Sequence, residues 1–180
     1  MFLPLIEKRR SIRRYLPYSV EKEKIAVLIE AALRAPSSRG FNPWEFIFVT
    51  QRDLLKTLSL TKEHGSSFLR HATLGIVVCA DAAKSDVWVE DASIASIFIQ
   101  LAAESIGLGS CWIQIRERMH DQEKTAQEYI SEILNIPAEL KVESIIAVGH
   151  PEKRKAPHAK EDLQYDKIYL NSYGKLYRGS

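Results

Sequence analysis

Five basic side chains surround one serine in "EKRRSIRRYLP", Glu7 to Pro17. Guanidinium groups beside a hydroxyl suit an oxyanion, because each planar fork can donate to two phosphate oxygens and the hydroxyl adds a further bond. A run this short could equally face nucleic acid, an anionic membrane or plain solvent. Three later segments also set polar or small residues beside apolar ones: "APSSRGFNPWEF", "GLGSCWIQI" and "VGHPEKRKAPHAK". The common signatures of other chemistries are missing, with no GxxxxGKS, GxGxxG, HExxH or GxSxG anywhere in the chain. Whatever reaction these segments serve, no amino-acid nucleophile or metal-ligand pattern announces it.

Composition narrows the choice. The chain has 180 residues, enough for one domain with a real core, and is read as a single domain over 1–180 with 151–180 as a C-terminal extension. Lys and Arg number 25 against 23 Asp and Glu, a formal charge of +2, so a nucleic-acid partner is not expected. Cys79 and Cys111 sit in apolar runs and fit neither a disulfide framework nor a metal site, which points to a reducing compartment. "MFLPLIEKRR" has its apolar residues before its basic ones, the reverse of a secretory signal, and no stretch is long enough to span a bilayer. A cytoplasmic protein without a membrane partner is expected.

The positioning elements follow from periodicity. "SVEKEKIAVLIEAALRAP" predicts an amphipathic helix capped by Ser19 and ending at Pro36. "WEFIFVT" and "LGIVVCA" read as buried strands, with "RDLLKTLS" as a short helix between them. The polar stretch "LTKEHGSSFLRHA" predicts a mobile loop or lid. "DVWVEDASIASIFIQLAAESIGLG" is apolar or small on nearly every side and predicts a central helix, followed by a strand in "SCWIQI", a surface helix in "DQEKTAQEYISEIL" and a last strand in "KVESIIAVG". Helices and strands mix without regular alternation, which favours an α+β sandwich over a doubly wound sheet. The tyrosine-rich tail after Gly149 has no core of its own and reads as an arm for another surface.

In their order and intervals, from near residue 9 to near residue 168, the four segments resemble the FMN-dependent nitroreductase family. Pro36, Ser37, Ser38, Pro43 and Trp44 match that family's PSSxNxQPW signature. The resemblance implies a sandwich with a central, mostly antiparallel sheet flanked by helices, and a homodimer whose C-terminal arm extends to the partner subunit. It also implies where FMN is held: Arg9 and Ser11 on the phosphate, Arg10 at the neck of the site, Arg13 at the pyrimidine edge of the ring, and Pro36, Ser37, Ser38 and Gly40 in a loop beside the ring. Gln114 and Ile115 take the positions that offer a donor to flavin N5, while His158 and Lys160, with Lys153, Arg154 and Lys155 as competitors, supply late cations to the phosphate. Two departures stand out: Gly40 replaces the commoner asparagine and Asn42 the commoner glutamine, so a backbone donor or Arg39 would have to serve the pyrimidine edge. Ile115 replaces a frequent glycine, and its bulk would narrow the cavity.

The activity so implied is reduction of a small organic acceptor, such as a nitroaromatic or quinone, by NADH or NADPH in ping-pong hydride transfer through flavin N5. The flavin carries the reactivity, so no catalytic side chain is needed. A flavin store or sensor with little turnover shares every cofactor contact and stays open as the alternative. His64, His71 and His120 are given no role.

Overall fold

The computed structural model describes residues 2–177; of the extension read over 151–180, residues 178–180 lie outside the described residues, as does Met1. The elements run α1 (Phe2–Lys8), α2 (Lys22–Leu33), β1 (Trp44–Val49), α3 (Arg52–Leu58), β2 (Leu74–Asp81), α4 (Trp88–Ser105), β3 (Gly109–Gln114), α5 (Ala126–Leu134) and β4 (Leu140–Gly149). The four strands form one sheet in the order β1-β2-β4-β3, antiparallel at every step. This is the α+β sandwich expected, and alternation along the strands builds its two cores. Val77, Cys79, Ile113, Ile145 and Ala147 face Leu55 and Leu58 of α3 and Ala126 and Ile130 of α5. Ile76, Val78, Ile146 and Val148 face Leu28 and Ala32 of α2 and Ala92, Ile99 and Ala103 of α4. One interruption breaks the ladder: Val78 pairs with Ser144 and Cys79 with Val142, leaving Glu143 as a β-bulge.

Two local readings are corrected and one element is added. Helix α2 starts after Glu21, not at Ser19: Glu21 is the extended N-cap residue, and Val20 before it is buried in the α2/α4 core. The predicted lid is a fixed part of the fold. Its Ser67–His71 segment is a 3₁₀ turn with Leu69 fully buried, and the buried Ser66 hydroxyl donates to the Ser59 carbonyl at 2.9 Å. Helix α1 was not foreseen, since "FLPLIEK" buries none of its residues and its apolar side chains give no one-sided stripe.

The feature that positions the site is a short extended segment, Ser11–Leu16, laid against the edge of the sheet. Ser11 bridges Ser110 in parallel fashion, the Ile12 N–H donates to the Ser110 carbonyl at 2.9 Å, and the Leu16 N–H donates to the His150 carbonyl at 2.8 Å. The buried Tyr15 hydroxyl donates to the Ile12 carbonyl at 2.5 Å and locks the turn. Gly109 permits the approach: a Cβ there would lie 2.9 Å from the Ile12 Cβ. Beyond Pro151 the tail is exposed along its described length, including Leu163, Tyr165, Ile168 and Leu170.

Gly109→Ala is expected to destabilise the protein by about 1–3 kcal/mol in urea unfolding, the usual cost of overpacking. Combining it with Ile12→Ala should cost less than the sum of the two single changes, and strict additivity would show that this contact does not seat the segment.

Candidate functional site

The segment carries its basic residues to the start of β3. Arg9 and Ser11 are half-buried, and Arg13 is exposed with its guanidinium 5.6 Å over the Phe68 ring. All three act on one neighbouring group, the buried Cys111 thiol. Burial pushes that thiol up, while the Arg13 charge, a hydrogen bond from Ser11, and the charges of Lys155 and Arg9 pull it the other way. Four groups from two distant parts of the chain therefore converge on a single point of β3. Beside them opens a cleft of about 880 Å³ whose walls carry Arg10, Arg13, Arg14, Lys153, Arg154 and Lys155 against the single carboxylate of Glu152.

Several of these cations are already committed. Arg10 donates to the Ala156 carbonyl, so it ties the tail to the N-terminal segment. Arg154 bonds Glu104 Oε1 at 2.7 Å and the Gly107 carbonyl at 3.1 Å, which anchors the tail to the end of α4. Arg9, Arg13 and Lys155 have no carboxylate partner among the described residues. Their charge is available to an external anion. Of the late cations, Lys155 lines the cleft, whereas His158 and Lys160 sit on the exposed tail just past Pro157, which lines an adjoining cleft of about 480 Å³.

The loop of Pro36, Ser37, Ser38 and Gly40 is built elsewhere. Arg39, Gly40 and Asn42 all take positive φ, at 53°, 70° and 46°, so the chain coils tightly between α2 and β1. Asn42 suits that conformation better than glutamine would, which gives its departure from the family signature a backbone reason. Ser37 Oγ accepts from the Asn42 N–H at 2.9 Å and donates to Asn42 Oδ1 at 2.8 Å. The Ser38 N–H donates at 2.7 Å to Asp91, a side chain only 2% exposed, and Ser85 donates to the other Asp91 oxygen at 2.8 Å. Asp91 thus pins the loop to the first turn of α4. Sequence reading passed over it as one acid in a helix read for its apolar faces; its place in the first helical turn was the available signal.

The third group lies at the far end of β3. Gln114 is half-buried; its Oε1 accepts from the Trp112 indole at 2.9 Å and its Nε2 donates to Glu143 at 3.2 Å. Ile115 corrects an expectation. Its side chain is fully buried in the core and its N–H donates to the Glu143 carbonyl at 3.1 Å, so neither its bulk nor its backbone donor faces open space.

One distance orders these parts. The basic cluster adjoins Glu104 near the end of α4 and the serine loop adjoins Asp91 near its start, a separation of about 20 Å along the axis at about 1.5 Å per residue. Around the serine loop the surface is apolar: Ile29, Leu33, Trp44, Phe46 and Phe48 line a groove of about 440 Å³, and Ile97 and Phe98 of α4 remain 37% exposed.

Comparison with known proteins agrees with this architecture. Residues 6–62 and 55–150 match the model of the nitroreductase family. A provisionally named NADH dehydrogenase/NAD(P)H nitroreductase of Archaeoglobus fulgidus is 36% identical over 176 residues, covering 95% of this chain and 98% of that protein. The FMN reductase (NAD(P)H) of Bacillus subtilis is 28% identical over 186 residues, covering 90% of this chain and 72% of that one. Among solved structures, an FMN-dependent nitroreductase of Clostridium difficile superposes with a TM-score of 0.93 at 46% identity, covering 95% of this chain and 99% of that chain. A basic cluster at the head of an edge strand, a serine loop pinned by Asp91, and similarity along nearly the whole chain lead to one conclusion: the protein belongs to the nitroreductase family.

Proposed function

We propose that this protein is an NAD(P)H-dependent FMN oxidoreductase that works as a homodimer and reduces a small organic acceptor of the nitroaromatic or quinone kind. The observation that carries the reading is the placement of the unpaired cations and Gln114 at the two ends of the same edge strand, β3. From Ser110, which bridges Ser11, to Gln114, β3 rises about 13 Å at about 3.3 Å per residue, a span suited to a phosphate at one end and a ring at the other. When bound, FMN supplies the two-electron chemistry, and reduced nicotinamide is the donor it accepts.

The chain's own residues then have distinct tasks. Arg9, Ser11 and Lys155 bind the phosphate through charge-assisted hydrogen bonds. Arg13 places a positive charge nearer the ring and favours its anionic reduced form. His158 and Lys160 reach the phosphate by a closer course of the tail. Pro36, Ser37, Ser38 and Gly40 stand too far along α4 to share a cofactor with the basic cluster of their own chain. A second copy brings them to it, and the same association covers the groove lined by Trp44 and Phe46, the exposed Ile97 and Phe98, and the apolar side of the tail. Both cysteines are free and buried, in keeping with a reducing, cytoplasmic setting.

The purified protein is expected to carry a flavin spectrum that bleaches on anaerobic addition of NADH or NADPH, and to scatter light as twice the chain mass. A flavin that stays oxidised would instead favour the storage reading, and a protein with no affinity for FMN would refute both. Arg9→Ala with Ser11→Ala should weaken FMN binding about 10- to 100-fold, the loss of one or two charge-assisted bonds. Arg13→Ala should chiefly lower the flavin's reduction potential. Asp91→Ala should cost about 1.5–3 kcal/mol in urea unfolding and weaken FMN binding together, because it releases the serine loop; unchanged affinity would separate that loop from the site.

A further inference from the structure

The bulge in β4 places a buried carboxyl behind Gln114. We propose that Glu143 is a positioning residue that clamps the Gln114 carboxamide and relays its own protonation state through Gln114 to the ring end of the cofactor seat; the second half of this rests on the function proposed above.

The geometry is specific. Glu143 has no partner in the ladder with β2, while on the β3 side the register carries on past Gln114: its carbonyl accepts the Ile115 N–H, at 3.1 Å, and the Arg116 N–H, at 3.2 Å. Its side chain, in a residue only 3% exposed, reaches Gln114 with Oε1, while Oε2 is buried without any partner. A bulge that redirects one side chain toward a functional residue is a familiar use of that irregularity. Gln114 in turn has no freedom: Nε2 donates to Glu143 and to the Arg116 carbonyl at 3.3 Å, and Oε1 accepts from Trp112. A change at Glu143 must therefore be felt at Gln114 and at the Trp112 indole.

The carboxyl is also set to titrate late. Burial pushes its pKa up; the Gln114 bond and Arg116 oppose this, while Glu117 on the same connection and Glu90 on α4 reinforce it. Arg116 is itself paired with Glu117 at 2.7 Å, which leaves it a weak counter-charge. Above the ordinary glutamate range the unfolded chain therefore releases this proton before the folded one, and stability falls as pH rises through the folded value. The same ionisation puts a negative charge behind Gln114 and disfavours an anionic reduced flavin beside it.

The test begins without cofactor. In amide-selective NMR of the flavin-free protein, titrated from about pH 4 to pH 9, the Gln114 side-chain amide and the Trp112 indole N–H should shift together with one midpoint above the usual glutamate range. Glu143→Gln should abolish both shifts and the accompanying pH-dependent loss of stability; in Gln114→Ala the Trp112 shift should vanish while that stability loss remains. In the FMN-loaded protein, the reduction potential of wild type should fall more steeply with pH across that midpoint than the potential of Glu143→Gln. Resonances that stay fixed in wild type, or that still titrate in Glu143→Gln, overturn the clamp. Identical potential profiles overturn the relay. Failure to bind FMN at all would sink the proposed function and leave the clamp to be judged by the cofactor-free titration alone.

Discussion

The basic cluster depends on one contact: the side chain of Ile12 lying directly on Gly109. Burying an isoleucine supplies on the order of 1.5–3 kcal/mol, and here it also decides where the adjacent serine and arginines stand. The bridge from Ser11 to Ser110 and the bond from Ile12 fix the segment's register, so Arg9, Ser11 and Arg13 cannot slide along the strand. Tyr15 closes the arrangement from below, its hydroxyl satisfied by the Ile12 and Ala147 carbonyls and its proton held tightly by burial. A short basic stretch that would be a solvated turn in isolation becomes a fixed array because an apolar residue in its middle has a glycine to rest on.

Helix α4 then sets the scale of the whole molecule. It buries Ala92, Ala95, Ser96, Ile99 and Ala103, mostly small side chains that let it lie close to the sheet. Its two ends anchor different things, with Asp91 holding the serine loop and Glu104 holding Arg154 of the tail. A helix of that length separates two parts that a single cofactor would have to touch together. The exposed apolar side chains near the serine loop and along the tail form the surface that the second copy in the proposed function would cover.

Most of the fold was legible in the sequence because its signals are local. β1, β2 and β4 are dense in β-branched and aromatic residues, and α4 is long and apolar with a glycine after it. The basic cluster stood out by its residue types, whereas the serine loop and Gln114 were singled out by the resemblance to the nitroreductase family. What escaped has little local signal beyond the first-turn position of Asp91. Asp91, next to Glu90, and Glu143 are acids inside segments whose apolar neighbours dominate any periodic reading, and a bulge leaves a strand's composition unchanged. Residues 60–72 looked mobile because "KEHGSS" is polar, yet Ser66 finds the Ser59 carbonyl and Leu69 finds the core, partners that only the tertiary structure supplies. Ile115 misled in the opposite direction, since its position in a motif said nothing about the Glu143 carbonyl waiting for its N–H.

The unpaired cations have an energetic consequence for the cofactor-free protein. Arg9, Arg13 and Lys155 stand close enough to act on one thiol, and the groups buried beneath them, Cys111 and Tyr15, are held neutral by burial rather than ionised as counter-charges. Their mutual repulsion is therefore offset by the lone Glu152 carboxylate of the cleft, by solvent and by salt, and the folded state carries what remains until an anion binds. An anion that binds the folded chain alone relieves it and is repaid in stability by mass action. In the function proposed above, the cofactor's phosphate is that anion, and its charge would complete the electrostatic balance of the cluster. In a chain nearly neutral overall, at +2, that excess is local: the remaining charges of both signs are spread over the surface, some of them in ion pairs such as Arg34 with Glu30 and Lys124 with Glu132.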